Sequence, residues 1–173
     1  MSVFVSRTSQ KLNFAQLQLE QMAQAQASTG WSRLALVESY QESVLFHLVS
    51  AYVAFLREIG DHYRLDAVAV QSFADLDALF EQAAVVSPER SELAALEQDA
   101  SEWLRQLRMA YDACWQPRAR RGEAAVQQSQ SEISVVQVAS GTGELEVTPK
   151  QCRQWHAELG ELVERLRAGM QEW

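Results

Sequence analysis

Residues 43–56 read SVLFHLVSAYVAFL, fourteen consecutive positions without a charge in a chain whose residues are 22% charged. A helix lying on a protein surface shows water a charged stripe at every turn, so a stretch with no such stripe reads as walled in by other helices. The run therefore predicts a helical bundle with this segment through its middle. It falls short of the roughly twenty apolar residues needed to span a bilayer, so a core helix is expected and no membrane insertion.

At 173 residues the chain is long enough to bury its own core as one domain, 1–173, without metal or disulfide. A formal charge of -8 repels phosphate and argues against an extended nucleic-acid footprint. Cys114 and Cys152 each fall on an apolar helix face, where a thiol behaves as a small hydrophobe, and two in a chain this long do not resemble a secreted scaffold. The opening MSVFVSRTSQKLNF lacks the basic region and long apolar run of an export signal. A reducing cytoplasm is the expected location.

Leu12, Ala15, Leu19 and Met22 recur at threes and fours, predicting a first helix over 6–27, closed at Ser28-Thr29-Gly30 by a left-handed glycine. Ser32 is placed to cap a second helix over 33–63, with Gly60 loosening its last turn. Ser72 with Asp75 opens a short helix through 85, and Ser87-Pro88 opens a long one to residue 116, stopped by Pro117. Residues 117–147 carry no helical period and read as a flexible or extended insertion. Within it the β-branched 133–138 and residues 145–147 are placed to pair as a weak β-hairpin. Thr148 and Gln151 form a capping box for a last helix with Cys152, Trp155, Leu159, Leu162 and Leu166 on one seam. The expected fold is all-α: an antiparallel bundle of four long helices plus one short helix.

Three places carry residue types that do chemistry. Arg57 and His62, in the order Arg57-Glu-Ile-Gly-Asp-His62, resemble the motif of HEPN-type RNases, in which such a pair polarises the scissile phosphate and handles the 2′-hydroxyl proton. That resemblance makes Arg57 and His62 catalytic candidates. The ordinary alternative is a solvated helix end, with Arg57 paired to Asp61 and His62 facing the terminal carbonyls. His47 lies within the uncharged run and is the ligand-binding candidate; its ordinary role is a buried neutral imidazole bonded to a Ser, Gln or Tyr, with Gln41, Ser43 and Ser50 nearby. Arg118, Arg120 and Arg121 beside Trp115 suit an acidic partner, or equally a solvated linker after a helix C-terminus. No metal site is expected, since no Glu precedes His47, His62 or His156 by three residues and neither cysteine has a ligand at zinc spacing. No cofactor motif is present either.

Further pieces carry a second resemblance: Arg7-Thr8-Ser9-Gln10-Lys11 with Phe14-Ala15, then Glu42-Ser-Val-Leu-Phe46-His47-Leu48, then Phe55-Leu56-Arg57-Glu58-Ile59 before His62-Tyr63. Together they resemble a small family of uncharacterised helical proteins from pseudomonads and related bacteria. The resemblance implies a bacterial cytosolic protein and assigns no activity. With no convergent polar constellation in view, the expected function is a non-enzymatic module that binds itself or another protein, the RNase reading being the alternative.

Overall fold

The computed structural model describes residues 2–116 and 147–171. They form six helices: α1 Val3–Ala27, α2 Arg33–His62, α3 Phe73–Ala83, α4 Pro88–Gln98, α5 Trp103–Ala113 and α6 Pro149–Gln171. Among the described residues there is no strand. The uncharged run lies in α2, and Val44, Leu45, Leu48, Ala51, Tyr52, Phe55, Leu56 and Ile59 make up its buried face. All six helices feed one hydrophobic core around it, including Ala15, Leu19 and Met22 from α1, Phe80 from α3, Leu93 from α4, Leu107 from α5 and Trp155 from α6.

By length and composition alone α2 is long and apolar enough to cross a membrane, but 61% of its apolar window is buried against neighbouring helices. That is how the core helix of a bundle looks.

Contacts set the helix directions. His156 Nε2 meets the Leu12 carbonyl at 3.1 Å and Arg167 reaches that of Val5, so α6 runs antiparallel to α1. Gln41 donates to the Val147 carbonyl at 2.8 Å and Arg167 pairs with Glu58, so α6 runs parallel to α2.

The four-long-helix expectation is corrected to three long helices, of 25, 30 and 23 residues, and three of 11. The single helix expected from Pro88 to residue 116 is broken at residues 99–102 because Asp99 captures the next turn. Its Oδ1 accepts the Ser101 N–H at 2.8 Å and the Ser101 hydroxyl at 2.7 Å, drawing Asp99 out of the helix. Aspartate competes with helical backbone pairing in just this way. The β-hairpin expectation falls on 133–147, of which 133–146 lie outside the described residues; Val147 itself is not in a strand.

The start signals act as their chemistry dictates. Ser72 accepts the Asp75 N–H while Asp75 accepts that of Ser72, a complete capping box. Ser87 caps α4 with Pro88 at its first position, and Thr148 and Gln151 close the box of α6. Two smaller readings change. Ser28, not Gly30, closes α1 by donating its N–H and hydroxyl to the Ala25 carbonyl, and Ser32 makes no side-chain cap. Gly60 does not loosen α2; it is buried where the 64–71 connection folds back, and a Cβ there would stand 3.5 Å from Ala67.

Candidate functional site

Most of the polar groups that could have served chemistry are consumed in holding helix ends together. Glu58, 5% exposed, receives Arg167 Nε at 2.6 Å and Nη2 at 2.8 Å, and the Thr8 hydroxyl at 3.2 Å. The same Arg167 Nη2 donates to the Val5 carbonyl, so one guanidinium ties α1, α2 and α6. Buried Glu97 accepts Arg108 Nη1 on both oxygens at 2.7 Å. Its carboxylate and above all burial hold the adjacent Tyr52 phenol neutral, well above the usual range. Buried Glu89 accepts Tyr63 and Ser87 hydroxyls, linking the end of α2 to the start of α4.

Arg57 and His62 are not brought together. Arg57 Nε donates to the Val70 carbonyl at 2.7 Å, bracing the connection after α2. His62 is exposed, its ring edge-on to Tyr63 at 5.0 Å, and it lines a cleft with Ser2, Glu58, Asp61, Arg167 and Met170 that Arg57 does not reach. Of the third candidate group, Trp115 is largely exposed and Arg118, Arg120 and Arg121 lie outside the described residues.

His47 has different surroundings. Its ring is wedged edge-on between Phe14 of α1 at 5.5 Å and Phe46 at 5.2 Å, and its buried Nδ1 has no partner. The companions expected from sequence look elsewhere: Gln41 bonds Val147, while the Ser43 and Ser50 hydroxyls donate to the Ser39 and Phe46 carbonyls of their own helix. Lys11 comes across from α1 with its ammonium 4.8 Å over the Phe46 ring. Lys11 is only 9% exposed, whereas Phe46 keeps 47% of its surface in water. Ser39, Glu42, Ser43, Phe46 and His47 line an open groove on this face.

Burial, then the charges of Lys11 and Arg7, push the His47 pKa below its ordinary 6.5. Lys11 is likewise lowered, by burial first and then by Arg7. A histidine depressed in the folded state makes folding favour the neutral form, so its contribution is complete above about pH 6.5 and is lost as pH falls below that. Chemical unfolding at about pH 7.5 and about pH 5.5 should therefore show a smaller acid-side loss of stability in His47→Gln than in the wild type. An equal loss in both would show that His47 is not the group responsible.

Sequence reasoning did not single out Lys11, yet a signal was present. The buried seam of α1 runs Thr8, Lys11, Ala15, Leu19, Met22 and Ala25, so a lysine occupies a core position of the 3–4 pattern.

The chain matches, over residues 1–173, a family of unknown function (DUF6586). It is a member of that family. No curated protein and no solved structure matches it. A site in this DUF6586 protein thus has to be argued from its own residues, and among those described no three or more His, Cys, Asp or Glu are grouped to hold a metal ion. Cys152 is buried, and that burial pushes its thiol up to about 12, where it stays protonated.

Proposed function

We propose that the protein is a non-enzymatic binding module that docks a protein partner on the outward face of α2. The observation that carries this reading is Phe46, half in water near the start of an uncharged run whose other residues are buried or half-buried, with Lys11 covering one side of its ring. Aromatic residues that are rigid, partly exposed and ringed by polar groups are the usual anchors of protein interfaces. Ser39, Ser43 and Glu42 supply such a rim. The RNase alternative has less to support it, because Arg57 is committed to the Val70 carbonyl and His62 sits in a separate cleft.

A benzophenone amino acid at position 46, irradiated in cells, tests the reading against the same probe at Val86, a still more exposed residue between α3 and α4. Position 46 is expected to give a discrete polypeptide adduct that position 86 does not. No adduct at 46, or the same adducts at both, would remove the reading.

A further inference from the structure

We infer that the tip where α1 turns into α2 is a shallow contact for a lipid bilayer surface, with Trp31, Leu34 and Leu36 entering the interface while the rest of the bundle stays in water. The inference concerns a different part of the chain from the Phe46 face and does not rest on it.

The tip stands clear of the bundle. Gln41 donates to the Val147 carbonyl, which sets the start of α6 level with Gln41. Trp31 lies ten residues earlier on α2's side of the turn, roughly 15 Å further out at 1.5 Å per residue. The Arg33 N–H donates to the Gly30 carbonyl at 3.1 Å, closing a four-residue turn with Trp31 and Ser32 at its corners. Trp31 is completely exposed there, and Leu34 and Leu36 keep 58% and 41% of their surfaces in water.

How these side chains are placed says what covers them. Leu34 and Leu36 are two residues apart on a helix, roughly 200° round its axis, so they leave opposite sides of α2. With Trp31 at the apex, apolar surface surrounds the tip. A protein partner covers a patch on one side of a helix pair, whereas a fluid bilayer closes round a projection on every side. From Trp31 to Leu36 is roughly 7.5 Å of helix, which matches the 5–10 Å to which interfacial elements enter the headgroup and acyl boundary.

Charge is arranged to suit. The chain carries a net charge of -8, yet residues 21–37 hold a single charged residue, Arg33, and no acid. The nearest acids on the two legs, Glu20 and Glu38, lie roughly 10 Å or more back along their helices, outside the depth of contact. Arg33 can keep its guanidinium at the level of lipid phosphates while its stem lies in the apolar layer, and an indole is the side chain best suited to that boundary. Such contact needs no spanning segment, and the apolar window of α2 stays mostly buried in the bundle.

The test is co-sedimentation of the full chain with phosphatidylcholine vesicles, a neutral surface that the net charge of -8 does not oppose. Circular dichroism confirms that each variant folds. The wild type is expected to pellet with the vesicles, with little change in 1 M salt, since apolar burial and not charge holds it. Trp31→Ser and Leu34→Ser, both at exposed positions, should each weaken partitioning, the first about tenfold or more, whereas Phe46→Ala should bind as the wild type does. Lipids brominated along the acyl chain should quench part of the wild-type tryptophan fluorescence and none of it in Trp31→Ser. A wild type that stays in the supernatant at about 1 mM lipid would overturn the inference, as would binding indifferent to Trp31→Ser and Leu34→Ser or lost equally in Phe46→Ala. A benzophenone at position 31 that captures a discrete polypeptide in cells, with no vesicle binding by the purified chain, would overturn it in favour of a protein partner at the tip.

Discussion

Replacing Arg167 with alanine is expected to destabilise the protein by about 3–5 kcal/mol, the range for removing one partner of a buried ion pair. Glu58 would be left with its carboxylate buried and only the Thr8 hydroxyl as donor. The loss should be global and not confined to one helix end, because the same guanidinium holds the start of α1 and the last turns of α2 and α6. In a chain of this size each kcal/mol moves the melting midpoint roughly 2–4 °C, so a fall of about 6–20 °C is expected by calorimetry. The double variant Glu58→Leu/Arg167→Leu should recover most of it, since a buried pair contributes little beyond an apolar pair of similar volume. A loss below about 1 kcal/mol for the single variant would show that water reaches Glu58 and that the pair is a surface bridge.

How far the fold was legible follows from where each signal resides. Caps are local: Ser72 with Asp75, Ser87 with Pro88 and Thr148 with Gln151 announce their helices because donor and acceptor are three residues apart. The break after α4 was equally local, but Asp99 and Ser101 sit inside a seam that stays apolar on either side, and periodicity outvoted the competing side chain. The Glu58–Arg167 tie was half legible. Glu58 falls on the apolar seam of α2, which marks it as a charge that must be paired, but its partner is 109 residues away. Phe46 was misplaced for a different reason. An uncharged helix face looks alike in sequence whether another helix of the same chain covers it or part of it stays at the surface. Only the packing separates the two, by burying Phe55 completely and leaving Phe46 half in water. The candidate site was legible to the same extent: His47 was marked by its position in the run, while Lys11 became visible once α1 was laid against α2.

Phe55→Ala should cost about 3–5 kcal/mol, while Phe46→Ala, nine residues earlier on the same helix, should cost the isolated monomer no more than about 1 kcal/mol. Phe55 is fully enclosed, so truncation leaves a cavity that the bundle closes only in part. Phe46 loses a ring already half hydrated, and the stem of Lys11 can settle over the gap. Urea unfolding of the purified chain separates these effects from binding, since a bound partner would add its own mass-action stability to the wild type. A large loss for Phe46→Ala under those conditions would make Phe46 a core residue and deprive the outward face of its anchor. A small loss, together with the discrete adduct at position 46, would mean that this aromatic serves contact between molecules, because its contribution to the folded chain alone is too small to require a phenyl group there.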